Sequence, residues 1–431
     1  MEYKVMPGGS ISGEARVPGD KSMSHRSIML GALAQGDTHV SGFLEGDDAL
    51  ATVAAFRQMG VEIEGPQDGK LTIHGVGLNG LQAPEGDLDL GNSGTSIRLL
   101  AGLLAGQSFD STLTGDESLS SRPMTRVLTP LALMGADVEG DKPPVTIRGG
   151  KSLRGIHYDL PMASAQVKSC VLLAGLYADG ITSVTEPAPT RDHTERMLRG
   201  FGYPVSREDG VIFLQGGAAL IATDIDIPAD ISSAAFFMVA ASISPGSDLI
   251  LTHVGVNPTR TGVINILRLM GADISLQNKR EVGGEPVADV RVRYAPLKGI
   301  EIPLDQVPLA IDEMPVLFIA AACASGRTTL HGAEELRVKE SDRIASMAEG
   351  LTTLGINTQV LDDGIVIEGG VLGGGTICTY HDHRIAMAFA VAALRAEQEI
   401  RILDCDHVAT SFPGFDALAR GLGLQITARE D

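Results

Sequence analysis

One phrase recurs six times along this chain: a helical stretch closes on a large apolar residue and a glycine, and a short strand follows. The copies are residues 56–64 (FRQMGVEIE), 131–139 (LALMGADVE), 198–207 (LRGFGYPVSR), 267–276 (LRLMGADISL), 351–360 (LTTLGINTQV) and 418–427 (LARGLGLQIT). Their glycines are Gly60, Gly135, Gly202, Gly271, Gly355 and Gly423, spaced by 75, 67, 69, 84 and 68 residues. Glycine suits that place because a helix C-terminus turns into the left-handed region, where a Cβ would clash. The spacing exceeds the usual solenoid periods, so each copy is expected to be a compact supersecondary block. A second phrase keeps the same rhythm: a short strand, a polar break and an apolar helix, at 15–34, 88–105, 158–178, 225–243, 300–322 and 377–394. Hairpin-like strand pairs fill most of the intervals, as at 70–78, 145–153, 210–220 and 364–372.

Each block therefore reads as strand, helix, strand, helix and two strands, an α/β unit of the form βαβαββ. A chain of 431 residues, 44% hydrophobic, exceeds one ordinary core. Six blocks then divide naturally into two domains of three repeats. The last copy stops after its helix and strand, while the chain begins with a spare strand at 3–7, so the first segment is expected to complete the last block. The expected division is 1–18 plus 240–431, carrying both termini, and 19–239, with the active site in the interdomain cleft.

The polar breaks before the apolar helices collect the chemistry. They hold Lys21, Ser22 and Arg26; Asn92, Ser93, Gly94, Thr95 and Arg98; Ser164, Gln166 and Lys168; Asp230, Ser232 and Ser233; Asp312 and Glu313; and His381, Asp382, His383 and Arg384. Helix N-termini expose unpaired amides and a partial positive charge, so basic side chains gathered there make an anion site. Three further clusters fit the same cleft: 120–123 (SSRP), 190–195 (TRDHTE) and 338–343 (VKESDR). In the last, Arg343 can fork onto a phosphate or carboxylate while Glu340 faces the reacting atom. The formal charge of −20 argues against a nucleic-acid or anionic-membrane partner, so local basic clusters suggest a small, highly charged ligand.

Several alternatives fail on context. A nucleotide P-loop would need glycines where Ala15 and Asp20 stand, and Gly75-x-Gly77-x-x-Gly80 is followed by Leu-Gln-Ala-Pro instead of a helix. The four cysteines, Cys170, Cys323, Cys378 and Cys405, lie far apart without a CxxC pair and read as reduced, mostly buried thiols. No metal site and no nucleophile elbow is indicated. Without a leader or a spanning apolar run, the cytoplasm is the expected compartment.

The segments PGDKSMSHR at 18–26, LGNSGTSIR at 90–98, SSRPM at 120–124, MASAQVKS at 162–169, RVKESDR at 337–343 and DHRIAM at 382–387 together resemble the 5-enolpyruvylshikimate-3-phosphate synthase family, in order and over essentially the whole chain. The resemblance implies a two-domain enolpyruvyl transferase that joins phosphoenolpyruvate to the 5-hydroxyl of shikimate 3-phosphate through a tetrahedral intermediate and releases phosphate. It implies no cofactor and no metal, and a monomer is expected. Carried over residue by residue, it assigns Ser22, Arg26, Ser164, Gln166, Arg191, Asp312 and Lys339 to shikimate 3-phosphate. It assigns Lys21, Gly94, Arg122, Arg343 and Arg384 to phosphoenolpyruvate, with Asn92 a further binding residue. Asp312 is the expected general base, and Glu340 and Lys21 are candidates for the proton transfers at the enolpyruvyl group.

Two departures resemble the family's second branch: Ala165 stands where the commonly studied branch has a second serine, and Ala-Thr-Ser-Phe-Pro occupies 409–413 where that branch carries a lysine. Gly94 is retained at the position where tolerant members carry alanine, so inhibition by glyphosate in competition with phosphoenolpyruvate is expected. Two competing readings are weaker. Residues 115–121 lack the cysteine of the transferase that acts on UDP-N-acetylglucosamine. A non-catalytic binder would gain little from Asp312 and Glu340 beside anions.

Overall fold

Six sheets of one plan accommodate the six repeats in the computed structural model, which describes residues 1–430. In each plan a parallel strand pair is extended by an antiparallel hairpin. In the second block, for example, Leu88–Asp89 lies parallel to Ser111–Thr114, followed antiparallel by Val145–Arg148 and Asp137–Glu139. The fifth sheet keeps three strands, and its parallel edge shrinks to bridges from Lys298 to Ser325 and from Glu301 to Thr329. The spare N-terminal strand Glu2–Val5 does complete the sixth block, lying between Ile400–Leu403 and Ile426–Arg429. All six repeat glycines have positive φ, from +74° to +122°, and each follows a helix such as Asp47–Gln58 or Phe415–Leu422.

The chain forms two compact units, each with its own apolar core. The terminal unit comprises 1–18, 228–281 and 286–431, and the central unit 19–227 with 282–285. The second crossing thus falls ahead of the helix Ile231–Ile243 instead of at 239 within it. Every residue of that helix is buried in the terminal core, so it cannot be divided. Two of the leading strands belong to a different unit from the helices that follow them. Ser12–Ala15, which precedes the helix Lys21–Leu33, pairs parallel with Asp248–Gly255 in the terminal unit. The strands Leu220–Ile221 and Ile225–Asp226, which precede Ile231–Ile243, pair with Ala34–Ser41 in the central unit. The first and fourth blocks have exchanged their leading strands, because each crossing lies between a strand and its helix.

Six apolar helices lie at the centres of the blocks: Lys21–Leu33, Gly94–Leu104 and Ala165–Gly175 in the central unit, and Ile231–Ile243, Met314–Cys323 and His383–Ala392 in the terminal unit. They are apolar almost all round, as helices buried on every side must be. Gly102 lets two of them touch, since a Cβ there would lie 2.2 Å from the Cys170 carbonyl oxygen. The polar breaks are partly caps: Asp20, Ser93, Ser164, Asp230 and Asp382 each accept a backbone N–H from the helix they precede. Among the described residues, no helix is long and apolar enough to cross a membrane.

Candidate functional site

In each unit, hydrogen bonds tie together the first turns of its three buried helices. The central cluster begins at Lys21, whose Nζ lies 2.9 Å from Asp48 Oδ2. One turn along, buried Arg26 donates to Thr194 Oγ1 at 2.7 Å, to Ser169 Oγ at 2.8 Å and to the Ser22 carbonyl at 2.9 Å. Arg191 NH1 stands 3.4 Å from Ser22 Oγ. His25 connects this group to the second helix, with Nδ1 3.1 Å from Ser96 Oγ and 2.8 Å from Thr52 Oγ1. Burial, reinforced by Lys21 and Arg26, holds its pKa well below that of an ordinary imidazole.

Around Gly94 the second helix meets Arg122 and the third helix. Arg122 NH2 donates to Asn92 Oδ1 at 2.7 Å and Ser118 Oγ at 3.1 Å, while Asn92 Nδ2 donates to Asp116 at 2.8 Å. Arg98 donates to Gln166 Oε1 at 2.8 Å, and Gln166 Nε2 donates to Thr95 Oγ1 at 3.2 Å. Ser164 caps its own helix, accepting from Val167 N at 3.4 Å. Lys168 departs from expectation: its side chain is fully buried against Glu186 and Glu195 and so does not join an exposed anion-facing set.

The terminal cluster centres on Arg343, at 1% exposure. Its Nε donates to Asp382 Oδ2 at 2.8 Å and its NH2 to Glu340 Oε2 at 2.7 Å, while NH1 lies 3.4 Å from Asp312 Oδ1. Burial opposes the guanidinium charge, but Asp382, Glu340 and Asp312 outweigh it and hold the pKa above the ordinary arginine value. Lys339 Nζ lies 2.7 Å from Glu335 and 3.8 Å from Asp312, and Arg384 NH1 donates to the Asp312 carbonyl at 3.0 Å. The sequence of 338–343 predicts Lys339, Glu340 and Arg343 within one helical turn. Instead a 3-10 turn, Glu334–Val338, precedes them and the helix begins at Arg343, capped by Asp342.

Five sequence candidates, Asp312, Lys339, Glu340, Arg343 and Arg384, thus meet in the terminal unit. Nine others, Lys21, Ser22, Arg26, Asn92, Gly94, Arg122, Ser164, Gln166 and Arg191, belong to the central unit. Asp48, Asp116, Thr194 and Asp382 are among the partners not singled out as site residues from sequence. Of these, Thr194 and Asp382 carried a signal, through the clusters at 190–195 and 381–384. A second buried network joins polar-break residues to Arg260, which the sequence did not single out: Arg260 donates to Asp230 at 3.1 Å and to Ser232 at 2.7 Å, and Ser232 donates to Glu313.

Comparison with known proteins gives this geometry its context. The family EPSP synthase (3-phosphoshikimate 1-carboxyvinyltransferase) matches residues 5–418. A 3-phosphoshikimate 1-carboxyvinyltransferase of Alkalilimnicola ehrlichii is 66% identical over 431 aligned residues, covering 99% of this chain and 97% of that protein. Its counterpart in Methylococcus capsulatus is 67% identical and covers 98% of each. The solved EPSP synthase of Acinetobacter baumannii matches the whole of both chains at 59% identity with a TM-score of 0.90. The enolpyruvyl transferase NikO of Streptomyces tendae, 18% identical over 99% of this chain and 98% of its own, has a TM-score of 0.77 and shares the fold. A two-unit α/β architecture of six repeats, with both polar clusters at the starts of its buried helices, is therefore that of an enolpyruvyl transferase, and the chain belongs to the EPSP synthase family.

Proposed function

We propose that the central and terminal clusters together bind shikimate 3-phosphate and phosphoenolpyruvate and carry the transfer between them. The observation that carries this reading is the division of chemistry: cations and hydroxyls gather in the central unit, and three carboxylates surround Arg343 in the terminal one. Ser22, Ser164, Gln166 and Arg191, backed by Arg26, hold shikimate 3-phosphate, and Lys339 completes its site. Lys21, Asn92, Arg122, Arg343 and Arg384 hold phosphoenolpyruvate, with Gly94 leaving room beside Arg122.

Asp312 takes the proton from the 5-hydroxyl as that oxygen bonds to C2 of phosphoenolpyruvate, and an acid delivers a proton to C3. The tetrahedral adduct then loses a C3 proton and breaks its bond to phosphate, which restores the double bond in the product. Glu340 and Lys21 serve the transfers at C3. Most of the acceleration comes from positioning and from fixed charges around the adduct.

Phosphate release from shikimate 3-phosphate and phosphoenolpyruvate, with mass spectrometry of the enolpyruvyl product, tests the reading. Asp312→Asn and Glu340→Gln are expected to lower kcat by about 100-fold or more while shikimate 3-phosphate still binds. Binding without turnover in the unaltered protein would overturn the assignment in favour of a non-catalytic binder.

A further inference from the structure

Lys168 takes no part in the chemistry above, yet none of its side chain reaches solvent. Its Nζ lies 3.0 Å from Glu186 Oε1 and 2.9 Å from Glu195 Oε1, on side chains only 2% and 3% exposed. Glu186 Oε2 and both oxygens of Glu195 lack hydrogen-bond partners, so the group is held by charge contacts more than by aligned hydrogen bonds. Such an ion cluster adds little to folding beyond what apolar side chains of equal size would give; what it fixes is geometry.

The geometry in question is that of Arg191. Glu186 follows the strand Ile181–Thr185, Glu195 lies in the first turn of the helix His193–Gly200, and Arg191 is on the segment between them. A single ammonium therefore grips both ends of the segment. Each grip is also one residue from a site contact. Glu186 accepts from Thr190, next to Arg191. Thr194, next to Glu195, accepts from Arg26 and pairs at 2.7 Å with Ser169, next to Lys168. We propose that Lys168, Glu186 and Glu195 are positioning residues, a buried staple that sets Arg191 against Ser22 and thereby sets the affinity for shikimate 3-phosphate. This rests on the substrate assignment proposed above.

Glu195→Gln keeps the shape of the side chain and leaves Lys168 paired with Glu186, so it should fold. The expected result is a KM for shikimate 3-phosphate raised by about tenfold, with kcat and the KM for phosphoenolpyruvate within about twofold of the parent. Combining it with Arg191→Ala should add little to the effect of Arg191→Ala alone, because the staple acts through that side chain. Independent, multiplying effects, or equal rises in both KM values, would overturn the proposal.

A second comparison separates positioning from stability. Lys168→Met leaves two facing buried carboxylates, and adding Glu186→Gln and Glu195→Gln removes that repulsion. The triple variant should recover the Tm lost by Lys168→Met but not the KM for shikimate 3-phosphate; recovery of both would refute the staple. Should Lys168→Met fail to fold, the Glu195→Gln and Arg191→Ala cycle decides. Absence of turnover in the parent protein would instead sink the substrate assignment.

Discussion

Replacing Gly94 by alanine should weaken the phosphoenolpyruvate site while leaving the fold intact. A Cβ at this position would lie 3.0 Å from Arg98 NH1 and 3.1 Å from Arg122 NH1. Ordinary contact begins near 3.4 Å, so each guanidinium must retreat by about 0.3–0.4 Å. Both can yield, being the ends of flexible side chains, but Arg122 is tied to Asn92 at 2.7 Å and Arg98 to Gln166 at 2.8 Å. For the fold, alanine at a helix position recovers up to about 1 kcal/mol over glycine, which offsets a steric cost of similar size. For the site, a charge-assisted hydrogen bond is worth about 1.5–3 kcal/mol, and losing half of one costs about 1 kcal/mol. With one or both arginines affected, the KM for phosphoenolpyruvate should rise about 5- to 30-fold. On the proposed assignment, inhibition by glyphosate should weaken at least as much, because the inhibitor is expected to compete for the same place. Initial rates with each substrate varied, glyphosate titrations and a thermal melt measure all three quantities. A folded variant whose KM and inhibition constant stay within about twofold of the parent would refute the steric argument. A rise confined to shikimate 3-phosphate would place the movement at Arg98 and Gln166 instead.

Arg343→Met should strip the buried Asp382 of its partner and cost about 3–5 kcal/mol in urea denaturation; a loss under about 1 kcal/mol would contradict the pairing at 2.8 Å. Iodoacetamide at pH 8 should label exposed Cys378 first. Burial pushes the thiols of Cys323 and Cys405 up to about 12 and raises that of Cys170 as well, so fast labelling of any of these in the native protein would count against the packing. His25 gives a pH dependence of definite sign. Burial depresses its folded pKa below the ordinary 6.5, so the unfolded chain binds the proton first as pH falls. The stability it supports is therefore complete above about pH 6.5 and is lost below it, with a limiting slope of about 1.4 kcal/mol per pH unit. Urea melts between pH 7.5 and 5 should show that slope in the parent and a shallower one in His25→Asn; equal slopes would refute it.

Much of the architecture was legible because it depends on local chemistry repeated six times. The six glycines predicted to end helices all adopt positive φ, and the polar breaks do precede buried helices. What the sequence concealed was pairing at a distance. Nothing in Ser12–Ala15 says that it will join Asp248–Gly255 while the helix after it packs elsewhere, since a short strand is compatible with either sheet. The site was legible where a residue sits in a distinctive motif, as Arg343 does, and illegible where its partner comes from an ordinary helix. Asp48 sits in the first turn of an ordinary helix, and Thr194, although inside the cluster 190–195, carries nothing that ties it to Arg26; only folding brings them to Lys21 and Arg26. Lys168 misled for the opposite reason: its motif is basic, but two carboxylates 18 and 27 residues downstream claim its charge.

The two clusters orient their arginines through different kinds of acceptor. In the central unit the arginines are oriented by neutral oxygens: Thr194, Ser169 and the Ser22 carbonyl for Arg26, Asn92 and Ser118 for Arg122, Gln166 for Arg98. A neutral acceptor orients a guanidinium without cancelling its charge, so these particular bonds leave the positive field in place. In the terminal unit the arginine is fixed by carboxylates, and these are not equivalent. Asp382 receives Arg343 Nε at 2.8 Å, Ser341 Oγ at 3.1 Å and the Arg384 amide at 2.9 Å, which makes it an anchor for two binding arginines at once. Asp312 stands at 3.4 Å from Arg343 and 3.8 Å from Lys339. In the proposed mechanism Asp312 has to accept a proton; Asp382 could not take that part without breaking the bonds by which it orders Arg343 and Arg384. On that proposal the same arginine faces two carboxylates with different parts: Asp382 orders the site, and Asp312 takes the proton.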